Sequence, residues 1–150
     1  MEYILLLTAC INPDGMPFTC LADVGVRKKQ YIEALNFYLK NTTRKIVFVE
    51  NSGTDISSSF KDFQHRIEFL CFDGNLCFDK RKGKGYGEAL ILEYAMAKSE
   101  FITDDVLIFK LTGRLQLINI NRLIHYMDKL SPSKNFVCVV PPQNLSLIHI

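Results

Sequence analysis

Tyr3-Ile4-Leu5-Leu6-Leu7-Thr8 is the stretch that decides the fold. It is a continuous apolar run with no polar residue until its last position. A strand that is half exposed alternates apolar and polar residues. A strand that is apolar throughout must be covered on both faces, which is the habit of parallel sheets layered between helices. The run is too short for a membrane span and has no basic flank for a signal sequence. Nowhere in the chain do about 18 apolar residues follow one another, so no transmembrane segment is expected.

Two similar runs lie further along, Lys45–Glu50 (Lys-Ile-Val-Phe-Val-Glu) and Arg66–Phe72. Between the first and second, Arg27–Lys40 has helical periodicity, with Tyr31, Leu35, Tyr38 and Leu39 on one face. Asp23 or a neighbour is its candidate cap. Between the second and third, Ser57–Gln64 reads as a short helix with Asp55 as N-cap. The order β, α, β, α, β predicts a mostly parallel α/β sheet with right-handed crossovers and helices on both faces. Asp73–Gly85 reads as a polar loop. A helix over Tyr86–Lys98 follows, with Leu90, Tyr94 and Ala97 on one side and Ala89 and Leu92 flanking. Then come a strand over Val106–Leu111, a weakly alternating candidate strand over Leu115–Ile120, and a helix over Asn121–Leu130 that turns Leu123, Ile124, Met127 and Leu130 inward. Asn135–Val140 reads as a last buried strand, closed by Pro141-Pro142.

The 150 residues, 48% of them hydrophobic and 23% charged, suit one globular α/β domain over 1–150. The tail Leu145–Ile150 resembles the adapter-derived end of a truncated reading frame, so a C-terminally truncated fragment is expected. Five cysteines without a CxxC pair argue against a zinc ribbon or a dithiol and for a reducing, cytoplasmic setting. His65, His125 and His149 have no metal-ligand spacing. A net charge of +2 gives no general reason to expect nucleic acid as a partner.

Open parallel sheets bind ligands beyond the carboxyl ends of their strands. That rule selects Thr8-Ala9-Cys10, Glu50-Asn51-Ser52, Asp73-Gly74-Asn75 and Lys110-Leu111-Thr112-Gly113-Arg114. The long loop Cys10–Gly25 leaves the first of these ends. A further feature is Arg81-Lys82-Gly83-Lys84-Gly85-Tyr86-Gly87-Glu88, where alternating glycines and lysines open a helix. Glycine permits close backbone approach, and free N–H groups at a helix start attract anions, a combination suited to a diphosphate. The spacing is neither that of a P-loop nor that of a dinucleotide fingerprint. Several side chains have two readings. Glu88 is a catalytic base or a complement to the helix dipole. Glu50 is an acceptor for ribose or base, or a solvated strand end. Arg114 grips a phosphate, or pairs with Glu88 or Asp104. No Ser-His-Asp set or nucleophile elbow is visible.

Leu7-Thr8-Ala9-Cys10, Arg27 with Gln30-Tyr31, Val49-Glu50-Asn51-Ser52-Gly53, Lys82–Glu88 and Lys110–Arg114 together resemble bacterial GT-A-type glycosyltransferases of surface-polysaccharide synthesis, over about residues 3 to 120. The resemblance implies a Rossmann-like GT-A sheet and the transfer of a sugar from a nucleotide-sugar donor to a glycan or lipid-linked acceptor. It implies that Thr8, Ala9 and Cys10 line a base pocket and that Glu50 and Asn51 meet base or ribose. Lys84, Gly85 and Glu88 would lie at the sugar nucleotide, with Lys84 near the phosphates. The cytoplasmic location extends, on this reading, to peripheral contact with the inner membrane. Most such enzymes hold a Mg or Mn ion on a DxD motif near the fourth strand. Here that place reads Lys110-Leu111-Thr112-Gly113-Arg114. Either Lys110 and Arg114 supply the metal's charge and the enzyme is metal-independent, or the chain binds no sugar nucleotide; the alternative to an enzyme is a non-catalytic nucleotide-binding α/β module. The catalytic base is not assigned.

Overall fold

The computed structural model describes residues 2–129. Four strands form one sheet in the order β3-β2-β1-β4. They are β1 (Glu2–Ala9), β2 (Lys45–Glu50), β3 (Ile67–Cys71) and β4 (Val106–Thr112). All three pairings are parallel. β1 lies between β2 and β4, with Leu5 opposite Ile46 on one side and Phe109 on the other. Helices cover both faces, so the fold is α/β and Rossmann-like, as the apolar runs predict.

The double coverage of β1 sorts its side chains by parity. Leu5 and Leu7 enter a core with Tyr31, Leu35 and Tyr38 of helix α1 (Val24–Asn41). Ile4 and Leu6 enter the opposite core with Ile91 and Ala95 of a later helix. Each such aliphatic side chain, fully buried, contributes about 1.5–3 kcal/mol. The α1 cap is as the sequence predicts: an Asp23 carboxylate oxygen accepts from the Val26 N–H at 2.7 Å. At the other end the Thr42 N–H and hydroxyl both donate to the Tyr38 carbonyl, at 3.0 and 2.9 Å.

Elsewhere the elements differ from expectation for identifiable reasons. Ser57–Phe63 is a 3-10 segment kinked at Phe60 rather than a regular helix. Asp55 does not cap it, but accepts from the Ser57 N–H at 2.7 Å within a local turn. The loop Asp73–Gly85 contains a helical turn α2 (Gly74–Cys77) and a 3-10 turn at Lys80–Lys82, and helix α3 starts at Gly83, not Tyr86, and runs to Lys98. Glycines lower helix propensity by about 1 kcal/mol each, yet Gly83 and Gly85 are part of the helix although a Cβ at either would meet nothing within 4 Å. Gly87, Ile91 and Ala95 form the buried stripe of α3. Leu90, Tyr94 and Ala97 instead line an outer groove.

Leu115–Ile120 is not a strand. The Tyr38 hydroxyl donates to the Leu115 carbonyl at 2.7 Å and accepts from the Leu117 N–H at 3.1 Å, fixing a turn. Ile118 is left 89% exposed. Helix α4 (Ile120–Lys129) follows, with Ile120 and Ile124 buried on the α1 side and Leu123 packed against them. Leu130, the predicted strand Asn135–Val140 and the tail Leu145–Ile150 lie outside the described residues, and so does the Met127 side chain.

No described helix is long and apolar enough to cross a membrane.

Candidate functional site

β1, β2 and β3 are laid down in one direction, and the chain then crosses back to place β4 on the other side of β1. The reversal leaves a crevice between the carboxyl ends of β1 and β4, where open α/β sheets bind ligands. A cleft of about 370 Å³ lies there. β1 contributes Thr8 and Ala9, the following loop Cys10 and Phe18, α1 Arg27 and Tyr31, α3 Lys84 and Glu88, and the end of β4 Thr112 and Arg114.

Gly113 lets the two strand ends close. Its N–H donates to the Thr8 carbonyl at 2.9 Å. A Cβ there would meet that carbonyl oxygen at 2.7 Å and the Tyr31 ring at 3.2 Å. No side chain fits between them.

The loop over residues 10–23 forms one wall, and Arg27 anchors it. Arg27 is only 7% exposed. Its Nε donates to the Cys10 and Ile11 carbonyls at 3.0 and 3.2 Å, its Nη1 to Leu21 at 3.0 Å, and its Nη2 to Cys10. One charged fork thus satisfies backbone acceptors at both ends of the loop. The Tyr31 hydroxyl accepts from the Cys10 N–H at 3.0 Å. From α3's side, Lys84 Nζ donates to the Phe18 carbonyl at 2.6 Å. Lys80 binds the Asp14 carbonyl and carboxylate. Pro13-Asp14-Gly15-Met16 is a tight turn closed by the Met16 N–H on the Pro13 carbonyl at 3.0 Å. Both central residues have positive φ, which Asp tolerates and Gly adopts freely.

Six of the ten residues singled out in the sequence line the cleft: Thr8, Ala9, Cys10, Lys84, Glu88 and Arg114. Lys110 lies one layer beneath. Its ammonium pairs with Glu88, whose same carboxylate oxygen accepts from the Thr8 hydroxyl at 2.8 Å. Glu88 therefore ties α3 to β1 and β4. Arg114 pairs with neither Glu88 nor Asp104; its Nη1 donates to Gln30 Oε1 at 3.4 Å. Gly85 is exposed away from the lining, and a Cβ there would meet nothing within 4 Å.

Glu50 and Asn51 lie outside the cleft lining. Glu50 is 1% exposed. Its carboxylate accepts from the N–H groups of Ile11, Ser52 and Thr54 at 2.8, 2.9 and 2.8 Å, and from the Ser52 hydroxyl. These four donors and the Cys71 thiol at 3.6 Å use the carboxylate fully, so it organises the loops rather than ending in solvent. The Asn51 N–H donates to the Ala9 carbonyl at 3.1 Å, and its own carbonyl accepts from Asn75 at 2.7 Å. Asn75 in turn donates to the Asn12 and Pro13 carbonyls, both at 3.1 Å. Phe18, Arg27's anchoring role and Asn75 carry no motif; only their place at strand ends marked their neighbourhood.

Burial pushes the Cys10 thiol up to about 11, against the nearby Arg27 charge that lowers it. The thiol is therefore protonated at neutral pH and is no nucleophile. Burial also raises the Tyr31 phenol, although its Cys10 backbone hydrogen bond opposes the shift. Cys71, at the end of β3, is exposed.

A divalent cation needs several hard oxygen ligands. Glu88 is the one carboxylate among the described cleft residues, and it already serves Lys110 and Thr8. Among the described residues no three His, Cys, Asp or Glu side chains group together. These donors do not fit a cation held by the protein's side chains, and no step below is routed through one.

A second cavity of about 520 Å³ lies on the outer face of α3, lined by aromatic residues that include the stacked pair Phe72–Tyr94. It is away from the switch between β1 and β4.

Comparison with known proteins finds no matching family model, no similar curated protein and no similar solved structure.

Proposed function

We propose that the domain binds the nucleotide-sugar donor of a glycosyltransferase in the cleft between β1 and β4. The observation that carries the reading is the charge of that cleft. Arg27, Lys84 and Arg114 line it against one carboxylate, Glu88, which Lys110 neutralises. A crevice with net positive charge at the switch point of a parallel sheet favours an anionic ligand of nucleotide size. The resemblance of the strand-end segments to GT-A-type enzymes specifies that ligand as a sugar nucleotide.

On this reading the protein acts by position and charge. The Thr8-Ala9-Cys10 wall receives the nucleoside. Lys84 and Arg114 face the diphosphate. As the bond from the anomeric carbon to the phosphate oxygen breaks, its electron pair stays on that oxygen, and the two cations stabilise the growing charge. Of the two basic residues proposed to stand in for a metal, Arg114 keeps this role; Lys110 acts indirectly by neutralising Glu88. The acceptor is a glycan or a lipid-linked glycan.

One observation favours the runner-up, a non-catalytic nucleotide-binding module. Glu88 is tied to Lys110 and Thr8, so no free carboxylate among the described cleft residues is placed to deprotonate an acceptor. Titration calorimetry with UDP-, GDP-, CDP- and dTDP-sugars tests both readings. Binding of one donor, followed by sugar transfer when a glycan acceptor is added, supports the enzyme. Binding without transfer to any acceptor supports the module. Failure of every donor to bind the folded protein rejects both.

A further inference from the structure

Phe18 is 95% exposed although it lines the cleft. An aromatic side chain left in water forfeits about 1.5–3 kcal/mol of burial. Its backbone is unfavourable as well: φ is 55°, in the left-handed region that bulky residues avoid. Among the described residues no aromatic ring pairs with it, and no other phenylalanine is so exposed, Phe63 being next at 38%. Nothing within the fold accounts for a phenyl ring at this position.

What holds it there is Lys84. The ammonium that belongs to the cationic lining also grips the Phe18 carbonyl at 2.6 Å. The bond fixes the backbone of Phe18 beside the charge, and the ring projects from the same lip of the cleft. An unpaired aromatic face beside cations is the combination that recognises a ring-bearing anion: the ring stacks, and the phosphates meet the charge.

We propose that Phe18 is the stacking platform for the base of the bound nucleotide. This rests on the nucleotide reading above and adds a determinant of ligand class to it. Thr8, Ala9 and Cys10 form the floor of the base pocket, and Phe18 its aromatic side. The site then discriminates nucleoside diphosphates from bare pyrophosphate through one residue. Stacking is tolerant of base identity, because every base has a π-face, so choice among bases falls to the polar groups of the floor.

The test is calorimetry with UDP, GDP and inorganic pyrophosphate on the wild type, Phe18→Ala and Phe18→Tyr. Loss of one stacked base by alanine substitution corresponds to about 5- to 150-fold in affinity. Phe18→Ala is expected to weaken the nucleoside diphosphate by that factor and to leave pyrophosphate within about twofold, while Phe18→Tyr retains nucleotide affinity. An exposed side chain makes a folded alanine variant the expectation, and circular dichroism checks it. Unchanged nucleotide affinity in Phe18→Ala overturns the stacking role and leaves the nucleotide site standing. Equal weakening of nucleotide and pyrophosphate overturns it too, since the residue would then act through Lys84 and the loop. A wild type that binds neither probe overturns the nucleotide reading itself, and this inference with it.

Discussion

Arg114 and Cys10 face the same cleft, and their surroundings give them opposite properties. Among the described residues Arg114 has one long hydrogen bond, to Gln30, and its guanidinium meets no other partner. A charge-assisted hydrogen bond contributes about 1.5–3 kcal/mol, so Arg114→Ala is expected to weaken UDP or GDP binding by about ten- to a hundredfold with the fold intact. Calorimetry checks the affinity, and circular dichroism checks the fold. Unchanged affinity would remove Arg114 from the diphosphate site. Cys10 is held as a neutral thiol, because burial raises it to about 11. The folded protein therefore retains this proton more tightly than the unfolded chain, whose thiol has a pKa near 9. The resulting stability is fully present below pH 9 and is lost as pH rises through 11. At pH 8 iodoacetamide is expected to alkylate the exposed Cys20 and Cys77 well before Cys10. Peptide mass spectrometry of a time course measures the order, and prompt labelling of Cys10 would contradict it.

At the scale of elements, the β1–β4 junction depends on one glycine. Gly113→Ala drives a methyl group into the Thr8 carbonyl and the Tyr31 ring. Neither can retreat, because Thr8 is in the central strand and the Tyr31 hydroxyl is engaged with Cys10. A loss of about 1–3 kcal/mol is expected, together with weaker nucleotide binding, measured by urea unfolding and calorimetry. Equal stability of variant and wild type would show that the strand ends do not close as described. Two of the elements misread in sequence show where local pattern fails. α3 begins three residues before Tyr86 although Gly83 and Gly85 disfavour a helix and a Cβ at either would meet nothing within 4 Å, so residue propensity is a weak guide to where this helix starts. Leu115–Ile120 has the alternation of a strand, but the Tyr38 hydroxyl, 77 residues from Leu115, satisfies its backbone in a turn. Local pattern carries no trace of such a partner.

Over the whole molecule, the sheet was legible because one kind of evidence repeats. Each central strand is an unbroken apolar run, and each run demands cover on both faces. The position of the cleft followed from topology, since strand ends can be located without knowing any contact. The duties of individual side chains were not legible. Glu50 and Glu88 are both carboxylates near strand ends, yet Glu50 is used up by five donors from adjoining loops and the end of β3 while Glu88 reaches the cleft lining. Arg27 is a cation in a cationic cleft, but its hydrogen bonds go to its own backbone. Such distinctions arise only when distant loops converge.

The placement of β1 between β2 and β4 also sets a timetable for biosynthesis. Tyr3 leaves the ribosome about a hundred residues ahead of its β4 partner Leu107. At roughly 5–20 residues per second, the most apolar strand of the protein waits on the order of 5–20 seconds with one edge open. During that interval β2 and α1 can shield it only in part. A nascent chain with this arrangement is a natural client for ribosome-associated chaperones, and slowing translation upstream of β4 would lengthen its exposure to aggregation.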